Sequence, residues 1–509
     1  MTSRFILVLH SHLPYVLGKG RWPFGEEWLH EIVLDTYLPL LEQLEALADD
    51  GVPASVAVGI TPILMEQLKS PDFVASFRRW IEDKRTALEG DTARLPDTAE
   101  ARALNAFYRS ELEQRLSQFD ALGGDIVAAF AQLQDRGRLE VLTSCATHGY
   151  LPLFSNDVSR RLQVRAGVAT YRHWTGREPK GFWLPECGYV PGVERLLADE
   201  GLRYFVADAA AFDTGSGQSY EGAHIPVSVS TEAASTPWNI GSGVAVFLRN
   251  PATSEQVWSR DLGYPGDGVY REFHRRCEGS GWQYWRITSK QTDLGSKELY
   301  QPTEARLRTR NHASHFAGLL QELAVAQQCR HGEPGVIVSA FDTELFGHWW
   351  YEGPTWIGDV FRSLAEQSSV AASAPCDVLD SCTLPVGKLR ESSWGAGGGH
   401  GTWMNSETSW IWDDIHADQR SFIKLLPGLH SPAADDLLRE ILLEESSDWP
   451  FLITTGQART YGVARFLEHH RKVQSLLASM DRADQPSQGG VASDDPVFEH
   501  LHLDDLRRF

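Results

Sequence analysis

Apolar residues gather along this chain in short, nearly unbroken runs, each emptying into a polar or aromatic cluster. Phe5 to Leu9 leads into His10-Ser11-His12, Ala54 to Ile60 into Thr61-Pro62, and Leu139 to Ser144 into a stretch holding His148. Val336 to Phe341 runs into Asp342, followed within ten positions by Glu344, His348, Trp349, Trp350 and Tyr351. Runs of this length without polar alternation predict strands buried on both faces, as in a parallel sheet covered by helices. Helical periodicity separates them, over about 30 to 48, 157 to 175, 193 to 200 and 302 to 329. The opening β-α-β-α order therefore predicts an α/β fold. Residues from about 72 to 135 are rich in helix formers with no strand signal, which predicts a helical layer with an inserted pair over about 85 to 135.

Successive strand ends deliver His12, His148, Glu186 and Asp208, the manner in which a barrel assembles one site from many strands. The stretch 212 to 236 is rich in Gly, Ser and other small residues and reads as an extended excursion or lid, with Tyr220 within it. A strand-like segment at Cys382 to Pro385 is expected to close the sheet domain, which then spans 1 to 385. Beyond it, 386 to 509 is expected to be mainly helical, with a polar, Gly- and Pro-containing segment at 484 to 496.

Charge narrows the function classes. Lys plus Arg total 47 against 68 Asp plus Glu, a formal net charge of -21, which argues against nucleic acid or an anionic membrane as partner. About five apolar residues precede the first histidine, too few for a signal peptide or a membrane span. The six scattered cysteines form no CxxC pair and fit a reducing cytoplasm. Seventeen Trp, several beside polar residues, point to flat stacking faces for sugars or similar ligands.

The strongest chemical pairing is Glu186 with Asp342, two carboxylates at different predicted strand ends. Glycosyl transfer and hydrolysis both need two carboxylates flanking the scissile bond, one attacking and one donating a proton; spacing alone leaves open which does which. His12, His148 and His348 could bind hydroxyls, orient a carboxylate or ligate zinc, but there is no HExxH spacing. No nucleotide-binding glycine motif accompanies them.

Five segments in order, HSHLPY at 10 to 15, THGYLP at 147 to 152, FWLPECGY at 182 to 189, AFDTELFGHWWYEGP at 340 to 354 and ESSWG at 391 to 395, resemble the motif set of glycoside hydrolase family 57. The likeness is greatest to its 1,4-α-glucan branching enzymes. It implies a distorted (β/α)7 barrel with an inserted helical region and a C-terminal helical domain. It also implies a retaining double displacement on an α-glucan, without metal or organic cofactor. Matched by motif, Glu186 takes the nucleophile position and Asp342 that of the general acid/base. His12 and His148 fall where histidines line the donor-sugar subsite, His348 shapes the cleft, and Trp22, Trp28, Trp403 and Trp412 fall near substrate-contacting indoles. Tyr220 matches the closing residue of a loop that shields the intermediate from water. The same resemblance leaves α-amylase and 4-α-glucanotransferase activity as alternatives, and a non-catalytic carbohydrate-binding protein as a further one.

Overall fold

The computed structural model describes residues 2–21, 24–213, 232–430, 432–480 and 495–507. Among the described residues nine strands form one sheet: β1 (Ser3–Ser11), β2 (Val56–Ile60), β3 (Leu139–Ser144), β4 (Gly181–Trp183), β5 (Tyr204–Asp208), β6 (Trp238–Asn239), β7 (Ala245–Arg249), β8 (Val336–Asp342) and β9 (Val370–Ala372). Their order is β6-β7-β5-β4-β3-β2-β1-β8, with β9 paired to the start of β1. All neighbours run parallel except the two-residue β6. The sheet curls: just past β7, the Asn250 amide donates to the Val338 carbonyl of β8 at 2.7 Å. Seven parallel strands, β7-β5-β4-β3-β2-β1-β8, thus form an incomplete ring, a distorted (β/α)7 barrel.

Side-chain parity shows how the ring is filled. Ile6, Val8, Ala57, Leu142, Val206, Phe247, Val338 and Ala340 pack into one cluster. Their strand neighbours Phe5, Leu7, Leu9, Val56, Val58, Val141 and Ile337 pack with the surrounding helices instead. Strand residues two apart face the same way, so His10 and His12 continue the parity of Ile6 and Val8, and Asp342 that of Val338 and Ala340. The register sets His10 beside both Gly59 and Asp342. This parity and register carry those polar side chains to one end of the barrel.

Helices Pro71–Asp91, Ala99–Ala121 and Ile126–Asp135 occupy the long strandless stretch expected over about 72 to 135. The expected strand at 382 to 385 does not form. The sheet is completed by β9, and Pro375–Ser381 is helical; a three-residue strand is too short to leave a pattern. After residue 400 come helices Ser409–Leu425, Pro432–Glu444, Asp448–Thr455 and Arg459–Met480. Trp412, Ile415, Trp449 and Phe466 from these helices share a core cluster with Phe182, Phe205 and Val246 of the sheet. Among the described residues, no helix is long and apolar enough to cross a membrane. Trp22, Tyr220, most of the 212 to 236 excursion and most of 484 to 496 lie outside the described residues.

Candidate active site

A cavity of about 1160 Å³ opens at the C-terminal ends of the strands. It is lined by His12, His148, Glu186, Asp342, His348 and Trp28 of the residues expected at the site, together with His10, Arg249, Glu344, Trp394 and Asp448.

Glu186 stands on a short turn after β4 with φ 61°, and Cys187 and His148 also have positive φ, 50° and 59°. Non-glycine residues seldom adopt this conformation, and where they do they cluster at functional sites. Trp394 holds the Glu186 turn twice. Its backbone N–H donates to the Glu186 carbonyl at 3.0 Å, and its indole Nε1–H donates to Glu186 Oε2 at 2.7 Å. The Arg249 guanidinium lies 5.2 Å from the centre of the Trp394 ring and pairs with Asp208 at 2.8 Å. Asp208 itself does not line the cleft and is joined to it by Arg249.

The histidines form a stack over Trp183, with ring centres 4.6 Å apart for His10 and Trp183, 4.9 Å for His10 and His148, and 4.0 Å for His12 and His148. Nε2 of His10 and Nε2 of His148 are 2.9 Å apart, so one donates to the other. His148 Nδ1 meets the Ser447 hydroxyl at 2.8 Å and stands 3.8 Å from Glu186 Oε1. Burial pushes both His10 and His148 well below the usual histidine range, so the pair is neutral. His12 Nε2 and Asp448 Oδ2 are 2.8 Å apart, and its Nδ1 meets the Thr61 hydroxyl at 3.0 Å. The Ser446 hydroxyl also donates to Asp448 Oδ2, at 2.6 Å. The segment Ser446-Ser447-Asp448 thus brings the C-terminal helices into the site.

Asp342 ends β8, and its carboxyl makes no hydrogen bond among the described residues. Glu344, two residues on, is buried beneath it and accepts from the Tyr37 hydroxyl and, at 3.1 Å, from the His12 amide. Burial raises Glu344 to about 8, with the nearby Asp342 charge adding to the shift.

Among the described residues, two groups of potential metal ligands, Asp418-Glu444-His470 and Glu440-His469-Asp495, lie in the C-terminal region, and neither includes a cleft residue. Hydrogen bonds join members of each: His470 Nδ1 meets Asp418 at 2.9 Å and Glu444 at 2.8 Å, and His469 Nδ1 meets Glu440 at 2.8 Å, while Asp495 pairs with Lys472 and Lys19.

Residues 6–384 match the family model described as glycosyl hydrolase family 57. The chain belongs to glycosyl hydrolase family 57. A second family model, described as 1,4-alpha-glucan branching enzyme, C-terminal, matches residues 420–505. Within family 57, the chain is 40% identical over 507 residues to the 1,4-alpha-glucan branching enzyme of Thermococcus kodakarensis, covering 95% of this chain and 74% of that one. The crystal structure of that enzyme superposes with a TM-score of 0.89 at 38% identity, over 96% of this chain and 92% of the other. A family 57 branching enzyme of Pyrococcus horikoshii gives 0.88 at 37% identity, over 99% and 94% of the two chains. An α-amylase of Thermotoga maritima gives 0.84 at 30% identity, over 95% of each.

Two expected substrate contacts of the family 57 reading are corrected by the packing. Trp403 and Trp412 are each 1% exposed, with no face open to a ligand. Trp403 stacks on Tyr150 at 4.3 Å, and the Trp412 indole N–H donates to the Trp403 carbonyl at 2.8 Å. They buttress the loop behind Trp394, where a Cβ at Gly395 would lie 3.0 Å from the Trp403 ring. In the sequence Trp394 stands out only as part of a motif, and Ser447 and Asp448 do not stand out at all. An indole three residues after the acid of ESSWG was the available signal for the first. Nothing in the polar run 445 to 448 marks the other two.

Proposed function

We propose that this protein is a 1,4-α-glucan branching enzyme working by retaining double displacement, with Glu186 as nucleophile and Asp342 as general acid/base. The observation that carries the reading is a pair of partly buried carboxylates in one cleft, one anchored by an indole N–H and the other unbonded. Glu186 attacks the anomeric carbon of an α-1,4 linkage while Asp342 protonates the departing glucan oxygen. The Asp342 carboxylate then takes the proton of a 6-hydroxyl on an acceptor glucose, and O6 displaces Glu186 to form the α-1,6 branch. His12, held by Asp448, and His148 line the donor side. The partner is an α-glucan polysaccharide, and the six unpaired cysteines support a cytoplasmic setting.

The electrostatics suit a pair that shares one proton. Burial, then the Asp342 charge, raises Glu186 to about 8. Burial raises Asp342 to about 6 against the pull of His12 and Arg249. Between those values the two carboxyls hold a single proton and titrate together. In the empty cleft this order favours the proton on Glu186, whereas the first step needs it on Asp342. A glucan lying across the pair supplies the difference. Its glycosidic oxygen gives the Asp342 O–H an acceptor, while the Trp394 N–H stabilises the Glu186 anion. Trp394→Phe keeps the ring and removes that donor, so Glu186 should ionise at higher pH. The tautomer with the proton on Asp342 then becomes rarer and the alkaline limb of kcat/KM is expected to move upward, with a rate loss at pH 6 of about tenfold; a profile with an unmoved alkaline limb would sink this role.

Hydrolysis is the second reading, favoured by the likeness to the Thermotoga α-amylase, since water in place of the acceptor uses the same two carboxyls. Incubation with amylose separates them. Branching is expected to give new α-1,6 linkages, seen as short chains after debranching, without a matching rise in reducing ends. Maltooligosaccharides and reducing ends alone would overturn it.

A further inference from the structure

The adjacent indoles Trp349 and Trp350 have opposite surroundings. Trp350 is 1% exposed, packed among Tyr264, Tyr270, Phe346 and Trp356. Trp349 is 46% exposed on the rim of the cleft, its ring tilted 32° against Phe273 with centres 4.5 Å apart. A glycine makes this divergence feasible. Gly347 has φ 121°, and a Cβ there would lie 1.9 Å from the Asp35 carbonyl oxygen, so no other residue fits the turn. Three hydrogen bonds donated by backbone N–H groups then fix the loop: Gly347 N–H to the Trp350 carbonyl at 2.7 Å, His348 N–H to the Thr36 side-chain hydroxyl at 3.0 Å, and Trp349 N–H to the Glu344 carbonyl at 3.2 Å. The last ties the exposed indole to the residue two positions beyond Asp342. Beside the aromatic pair, His274 and Arg276 also line the cleft, with Arg276 Nη2 held by Glu31 Oε2 at 3.0 Å.

A single exposed aromatic needs no explanation. Two aromatic rings in tilted contact on the rim of a cleft that contains two partly buried carboxylates, one of the rings on a loop built around a glycine, form a prepared surface. Chemistry identifies which chain it faces. Asp342, on the reading above, first protonates the departing glucan and later deprotonates the incoming hydroxyl, so both chains lie on its side of the scissile bond. Trp349 stands on the loop that leaves the same strand as Asp342. We infer that Trp349 and Phe273 form the acceptor platform: an apolar ledge for the ring faces of an α-1,4-glucan, with His274 and Arg276 placed for its hydroxyls. Occupied, the ledge holds a 6-hydroxyl near Asp342, so that the O6–C1 bond forms as the C1–Glu186 bond breaks and the proton passes to Asp342. Unoccupied, the intermediate is left to water.

This inference rests on the glycosyl-transfer reading, and the experiment keeps the two apart. Wild type, Trp349→Ala and Trp349→Phe are incubated with amylose, and transfer products of either linkage are counted against new reducing ends. Formation of α-1,6 linkages by the wild type tests branching; the ratio in the variants tests the ledge. Trp349→Ala is expected to lower the transfer-to-hydrolysis ratio by roughly tenfold, and Trp349→Phe, which keeps a flat apolar ring, to restore most of it. An unchanged ratio in Trp349→Ala, whatever the total turnover, overturns the platform, as does a wild type that makes no transfer product of either linkage. A wild type that transfers only to 4-hydroxyls overturns branching and leaves the platform to be judged on its ratio.

Discussion

Glu186→Ala is expected to lose on the order of 10⁵-fold in glucan cleavage, and added azide is expected to return turnover on an α-maltooligosyl fluoride as the β-configured glycosyl azide. The argument is stereochemical. A nucleophile that opens an α-linkage attacks from the β face, and truncating it leaves a vacancy on that face for a small anion. The fluoride leaves without needing a proton, so Asp342 is bypassed. Asp342→Ala should behave oppositely: Glu186 still forms its β-linked ester, and azide arriving on the other face gives the α-configured product. Product anomers read by NMR therefore assign the two roles independently of rate. An α-azide from Glu186→Ala would exchange them.

How far the site could be read in advance depended on the kind of signal each residue leaves. Buried parallel strands are contiguous apolar runs, so β1, β3 and β8 and the polar residues at their ends stood out, and His12, His148, Glu186 and Asp342 line one cleft. Tryptophan carries no such signal. Its size serves a core and a sugar platform equally, and neither Trp403 nor Trp349 announces its exposure; only packing separates the buried buttress from the rim. Ser447 and Asp448 were invisible because their contacts, His148 and His12, lie 299 and 436 residues away along the chain. Val33–Tyr37, a single π-helical stretch inside an otherwise ordinary helical pattern, likewise left no mark. It carries the Asp35 carbonyl that Gly347 must approach.

Asp342→Asn is expected to lower kcat on amylose by roughly 10²- to 10⁴-fold, the usual share of a general acid, while making the protein more stable at alkaline pH. The sign follows from linkage. Asp342 is raised from 3.8 to about 6 by burial, so the folded protein binds a proton that the unfolded chain releases first, and stability falls as pH rises between those values. At about 1.4 kcal/mol per pH unit, the wild type above pH 6 carries a penalty of about 3 kcal/mol that asparagine does not. Removing the Asp342 charge also lets Glu186 ionise at lower pH, since that charge is the second cause of its elevation. The gain in unfolding free energy of Asp342→Asn over wild type should therefore be small near pH 4, grow to about pH 6 and not reverse above it. Denaturant unfolding across that range checks it. A gain that stays flat with pH would mean that the carboxyl is solvated in the free enzyme, and the shared-proton account would fall with it. A gain that tracks pH joins the two measurements: the strain that burial places on this carboxyl is the same property that keeps a proton available to the departing glucan.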